Sequence, residues 1–214
     1  MNLFFHQHVS SVDPDAEIPG FNDLLPTSYR QAQPNSRLKH CVAATAYASL
    51  TNQSQFLAVS RKACEAYGTA LSSVNKALAD PVKALKDETL CAIFILGMFE
   101  SISAVQLHIF GVPGCGMNRL LYFRGKQQFE TCNGELISRA VCAYLHIRNL
   151  SLGRRPPPHK EFWFMNVRGC VPYRRAMSSI SHICQVMATA EELLTSITLF
   201  QTTAACLCLH IVLH

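Results

Sequence analysis

Apolar positions recur along this chain at steps of three and four, the spacing of one face of an α-helix. From Ser54 to Ala79 they fall at Phe56, Leu57, Val59, Ala63, Cys64, Tyr67, Ala70, Leu71, Val74 and Leu78, which predicts a helix closed by Asp80-Pro81. Proline cannot continue the hydrogen-bond ladder and pushes its predecessor out of the α region. An earlier helix is expected over about Arg37 to Thr51. Pro34-Asn35-Ser36 opens it, because a Ser or Asn oxygen accepts orphan amides of a first turn. After a linking turn through Val82 to Lys86, Asp87 stands where it can cap a third helix, with Glu88 near the positive end of the dipole. Leu90 to Phe99 is apolar on every side apart from Gly97, the mark of a helix in the middle of a bundle. Such a run is too short for a bilayer, which needs about 20 residues.

Val105 to Gly116 holds Gly111, Pro113, Gly114 and Gly116, predicting a broken loop before a short helix at Met117 to Phe123. Cys132-Asn133 opens a further helix to about Leu152, with Leu136, Ile137, Ala140, Val141, Tyr144, Leu145 and Ile147 as its buried side. Gly153 and Pro156-Pro157-Pro158 end it. Arg154, Arg155, His159 and Lys160 then lie on a polyproline-like connection, and Glu161-Phe162-Trp163 docks back. A last helix covers about Arg174 to Phe200 or beyond. At the other end, Pro14, Pro19, Pro26 and Pro34 suit an extended arm that docks Phe4, Phe5, Phe21, Leu24 and Leu25 and contains at most one short helical turn near Asn22 to Tyr29. The expected fold is therefore all-α, an irregular multi-helix bundle with an extended N-terminal arm. Its parts are the arm (1–36), a helical regulatory-type domain (37–163) and a C-terminal helical segment with an atypical apolar tail (164–214).

That tail has nothing formally charged after Glu192, and Leu193 to Leu213 is about the length of a membrane span. Thr195, Ser196, Thr198, Gln201, Thr202, Thr203 and His210 interrupt it, and no Lys or Arg follows to mark an interface. It reads as a buried or adventitious tail, with a membrane anchor as the alternative.

Composition narrows the classes further. Of 214 residues, 49% are apolar and 15% are Asp, Glu, Lys or Arg, too apolar and too weakly charged for a disordered chain. The net charge of +5 is uneven, since residues 119 to 175 hold eleven Lys/Arg against three acids. These cations are scattered as Arg119, Arg124, Lys126, Arg139, Arg148 and Arg154-Arg155, which reads as solvated faces and not as a nucleic-acid stripe. Met1 to Val9 lacks the cations and the apolar run of a signal peptide, so the chain reads as intracellular, its ten cysteines as reduced, buried thiols. No C-x-x-C occurs, which removes the usual zinc-finger and thioredoxin spacings. Cys206-x-Cys208 and His6-x-His8 each lack further fixed ligands. Gly111-x-x-Gly114-x-Gly116 lacks the strand and lysine of a phosphate loop. A Cys/His nucleophile pair is arithmetically available from ten Cys and nine His, but spacing alone assigns none. The clustered acids Asp80, Asp87-Glu88 and Glu191-Glu192 are each explained as helix termini. The expectation is a non-enzyme with no catalytic, cofactor-binding or metal-ligating residue.

Several segments, taken in order, carry a resemblance: Phe4-Phe5-His6, Gly20-Phe21-x-x-Leu24-Leu25-Pro26, the Ser36 to Leu50 helix, Ala77-Leu78-Ala79-Asp80-Pro81, Asp87-Glu88-Thr89-Leu90, and Leu120-Leu121-x-x-Arg124-Gly125-x-x-Gln128-Phe129. Over about residues 4 to 163 the chain resembles the C-terminal regulatory region of fungal zinc-binuclear-cluster transcription factors. The resemblance implies an all-α domain of the middle-homology type, acting in the nucleus through effectors, partners or dimerisation. The family's zinc cluster needs six closely spaced cysteines, which this chain lacks, so zinc binding and base contacts carry over to no residue here. Where relatives have His-x-x-Gly before the Leu-Leu-x-x-Arg-Gly stretch, His108 to Gly111 and Gly116 straddle Val112-Pro113-Gly114-Cys115. The chain reads as a truncated relative: a transcription-regulatory domain that binds a protein partner, a second copy or a small-molecule effector, without reading DNA or engaging a membrane. The alternative is a helical intracellular interaction protein unrelated to transcription, anchored through its tail.

Overall fold

The computed structural model describes residues 21–54, 57–103, 112–155 and 171–212, with side chains for 24–53, 57–103, 116–155 and 175–197. Helices follow one another as α1 (Phe21–Gln31), α2 (Arg37–Ser54), α3 (Leu57–Leu78), the short α4 (Pro81–Ala84), α5 (Asp87–Ser103), α6 (Val112–Arg124), a 3₁₀ turn (Gly125–Phe129), α7 (Cys132–Ser151) and α8 (Val171–Val212). The fold is all-α, and no strand occurs among the described residues. Two compact units divide the chain, Met1–Val141 and Cys142–His214, the division falling inside α7.

In the first unit α2 packs on both α3 and α5, and α6 packs on α5. The core is α5: Thr89 to Gly97 and Phe99 are all buried, as its unbroken apolar sequence predicts. Small residues let α2 approach closely, since Cys41, Val42, Ala44, Thr45 and Ala48 are all buried. Thr45 Oγ1 donates within its own helix to Cys41 O at 2.9 Å or across to Ile95 O at 3.2 Å, so this buried hydroxyl is satisfied. The buried stripe of α3 is Ala63, Ala70, Val74 and Ala77. Leu57, expected on that stripe, is exposed, and so is Cys64, because the close helix contact is made by alanines and leaves the larger residues at its margins. Tyr67 stacks on Phe99 with ring centroids 4.3 Å apart and donates its hydroxyl to Glu100 Oε1 at 3.3 Å.

Helix starts follow their local chemistry. Ser36 Oγ accepts from Lys39 N at 3.3 Å, as the Pro-Asn-Ser signal predicts, and Asn35 takes a left-handed φ of 59°. Asp80 does more than close α3: Oδ1 accepts from Val82 N and Lys83 N at 3.0 Å each and caps α4, with Pro81 at the first helical position. Several expectations need correction. Ile147, expected on the buried side of α7, is exposed, and Glu191-Glu192, expected at a helix terminus, lie midway along α8. The arm contains an 11-residue helix, α1, in place of a single turn, with Leu24 and Leu25 buried as expected. Pro26 lies inside it. The broken loop before Met117 is helical from Val112, because Pro113 falls in the first turn, where its missing amide hydrogen forfeits no bond. Phe4, Phe5, Pro14, Pro19, 104–111, the triple proline, His159, Lys160 and Glu161 to Trp163 lie outside the described residues, as do the side chains of Phe21 and the tail beyond Ile197.

In the second unit α8 runs for 42 residues, about 63 Å at 1.5 Å per residue. Met177, Ser181, Cys184 and Ala188 form its buried face, and Cys184 Sγ donates to His146 O at 3.6 Å. His146 is itself buried, with Nδ1 2.7 Å from Cys142 O. Arg155 holds Glu192 through Nε at 3.1 Å and Nη2 at 2.6 Å, both groups exposed. No helix among the described residues is long and apolar enough to cross a membrane.

Candidate functional site

Two ion pairs of the first unit meet at the N-terminus of α5. Asp87 and Glu88 lie in its first turn, where the helix dipole favours negative charge. Each carboxylate is tied to a different helix. Glu88 Oε2 lies 2.9 Å from Nη2 of Arg37, the first residue of α2, and Asp87 Oδ1 pairs with Nη2 of Arg124, the last residue of α6. In place of the expected cap, the Asp87 carboxylate forms a crossbar between helices.

The turn that comes after it fixes the position of Arg124. Gly125 adopts φ +55°, which an L side chain rarely tolerates, and this ends α6. The chain then tightens into the 3₁₀ turn. Gln128, buried, donates Nε2 to Gly125 O at 2.8 Å and Leu121 O at 3.3 Å, satisfying orphan carbonyls at the end of α6. Its Oε1 accepts from Ser138 Oγ of α7 at 2.8 Å. Thr131 Oγ1 accepts from Gly134 N at 3.0 Å at the start of α7. A Cβ on Gly134 would lie 2.4 Å from Gln128 O and 3.3 Å from Asp87 Oδ1, so this position needs glycine for the close approach of α7 to the turn. Thus Asp87-Glu88 and Arg124-Gly125-x-x-Gln128, far apart in sequence, build one junction.

Beside the junction opens a cleft of about 200 Å³, to which Ser28 and Gln31 of α1, Asp87, Glu88 and Cys91 of α5, and Asn133 of α7 contribute. Buried polar atoms of the junction remain without a hydrogen-bond partner among the described residues: Nε of Arg37, Oε1 of Glu88, and Nε and Nη1 of Arg124. Both carboxylates are ion-paired, so the cleft holds matched charge with hydroxyl and amide donors around it. Such a set suits hydrogen bonding to a small polar molecule better than proton transfer. Burial pushes the Cys91 thiol far up, with Glu88 and Asp87 adding to the effect, and Cys41 is raised by burial, then by Cys91 and Glu88. In the second unit burial raises Cys142 to about 12. These sulfurs stay protonated and are poor nucleophiles or metal ligands at neutral pH.

Of the cations expected on solvated faces, Arg119, Lys126 and Arg154 are exposed as expected, and Arg155 is exposed in its pair with Glu192. Arg139 and Arg148 are half-buried, and Arg124 departs furthest from the expectation, its side chain only 5% exposed. The signal was present: residue 124 succeeds the buried Met117, Leu120 and Leu121 at helical spacing, on the face that packs inward. His6, His8 and Gly111 lie outside the described residues, as do the side chains of Cys206 and Cys208, whereas Gly114 and Gly116 sit in the first turns of α6. Among the described residues no three His, Cys, Asp or Glu gather in a metal-ligand arrangement.

No curated protein and no solved structure matches this chain. The family model of the fungal specific transcription factor domain matches residues 3–201, a span that includes every residue of the junction. With nearly its whole length matched, the chain belongs to the fungal specific transcription factor domain family.

Proposed function

We propose that this chain regulates transcription in the nucleus by binding a protein partner or a small-molecule effector, with no base-reading element and no catalytic step of its own. The observation that carries the reading is the family match over residues 3–201, whose segments form the junction and its cleft. A transcription-regulatory role follows from the family; the mode of action is inferred from chemistry. Ten cysteines without any C-x-x-C offer no zinc cluster spacing, and raised thiols together with paired carboxylates offer no activated nucleophile or free general base. What the domain has to offer is surface and a polar cleft.

The test is to tether the full chain to a heterologous DNA-binding domain upstream of a reporter in a fungal cell. Output should change several-fold relative to the DNA-binding domain alone, and the chain fused to a fluorescent protein should accumulate in nuclei. An unchanged reporter with a nuclear, folded chain would overturn the reading.

A further inference from the structure

We propose that Cys41 of α2 and Cys91 of α5 form a redox-sensitive pair, two thiols that face each other across the helix contact and close to a disulfide under sustained peroxide. The placement comes from register. On α2, Arg37, Cys41, Thr45, Ala48 and Asn52 advance by steps of three and four along one stripe of the helix. On α5 the matching stripe holds Glu88, Cys91, Ile95 and Ile102. Contacts at both ends and in the middle fix how the stripes meet: Arg37 pairs with Glu88 at 2.9 Å, Thr45 Oγ1 lies 3.2 Å from Ile95 O, and Asn52 Nδ2 donates to Ile102 O. Both stripes advance in the same direction, so the two helices run parallel. Thr45 and Ile95, like Asn52 and Ile102, stand 50 positions apart, and so do Cys41 and Cys91, one turn earlier on each helix.

Separation suits the bond as well as register does. A disulfide needs Cα atoms about 4.4–6.8 Å apart, which packed helices reach only where small residues line the contact. Cys41, Ala44, Thr45 and Ala48 are such residues, and the Thr45 hydroxyl, one bond beyond Cβ, reaches a main-chain oxygen of α5 directly. The thiols also sense each other, since Cys91 follows burial among the groups that raise Cys41. Access assigns the roles. Both residues are buried, but Cys91 stands in the wall of the cleft beside the junction and Cys41 takes no part in that wall. Peroxide, little larger than water, therefore meets Cys91 first. The Cys91 sulfur attacks one peroxide oxygen, the O–O bond breaks, and a sulfenic acid forms with loss of one water. The Cys41 sulfur then attacks the sulfenic sulfur, a second water leaves, and the S–S bond forms; two thiols are oxidised and one peroxide is reduced. Burial, and after it the neighbouring carboxylates, hold both groups as thiols, so the pair ignores brief exposure and yields to lasting oxidant. The bond ties α2 to α5 one turn from the Arg37–Glu88 pair and closes a loop of about 50 residues, which constrains the unfolded chain.

The test treats the full chain, without denaturant, with millimolar hydrogen peroxide for hours, then blocks the remaining thiols and maps linked peptides by mass spectrometry. A peptide pair joined through Cys41 and Cys91 should accumulate, short of two hydrogens, and dithiothreitol should release it. Oxidation should raise the melting midpoint by about 10 °C, and reduction should return it. In Cys41→Ala, dimedone should tag Cys91 as the sulfenic acid, and in Cys91→Ala, Cys41 should remain a free thiol. Because either substitution touches the core, the wild-type map alone decides the pairing. Three results overturn the proposal: both thiols still free when the exposed Cys64 and Cys132 are oxidised, links that join either thiol to another cysteine, or a Cys41–Cys91 link that lowers the midpoint. A tag on Cys41 with none on Cys91 overturns the assigned order. The map is read on purified protein and stands apart from the tethered reporter, so the pair and the regulatory reading fail separately.

Discussion

Single residues at the junction make sharp demands. Gly134→Ala places a carbon 2.4 Å from a backbone oxygen, which cannot swing aside as a side chain would. The variant should lose about 1–3 kcal/mol, read as a lower urea midpoint, whereas alanine at the open exposed helix position Gly68 should be neutral or stabilising. Arg124→Ala strips a buried cation from Asp87 and removes its stem from the core, and about 2–4 kcal/mol should go with it. Asp80 gives a pH signature. Its hydrogen bond to the Lys83 side chain and those from the Lys83 and Val82 amides hold its carboxyl at about 2, below the ordinary 3.8. The cap therefore stabilises fully above the ordinary value and fades as pH falls through 2. Carboxyl NMR should place the titration midpoint near 2, and Asp80→Asn should erase that step.

At the scale of elements, α5 sets the stability of the first unit. Ile95 is fully buried, and Ile95→Ala should cost about 2–5 kcal/mol through lost burial and the cavity left behind, seen as a lower thermal midpoint. This helix was legible in the sequence because an apolar run without a polar face has one place to go. The Ser36 start of α2 and the Asp80-Pro81 stop were legible too, since capping and proline act within a turn. The early start of α6 was not: three glycines and a proline read locally as a break, yet two of those glycines and the proline fall in the opening turns of the helix. The junction was half legible. Its segments stood out in the resemblance, but that Asp87 and Arg124 meet depends on how α6 returns to the start of α5, which no local pattern encodes. Arg124 looked like one more scattered cation because charge alone does not reveal burial.

For the whole molecule, family membership and all-α architecture agree, and the two faces of α8 separate what holds a unit together from what remains for association. The inner face is small and sulfur-rich, with Ser181, Cys184 and Ala188 close-packed, while the outer face keeps larger side chains in water. Exposed apolar residues of this size in sequence register are uncommon on a chain that acts alone.

The all-round burial of α5 also bears on how the chain is made. Its cover comes from both directions, α2 ahead of it and α6 behind, with Met117 and Leu121 completely enclosed. During synthesis the oily rod leaves the ribosome before its second wall exists, and its full cover waits until residue 124 has emerged and the arginine can latch onto Asp87. Nascent chains halted short of that latch should be cut readily by protease, and those extended past α7 should resist.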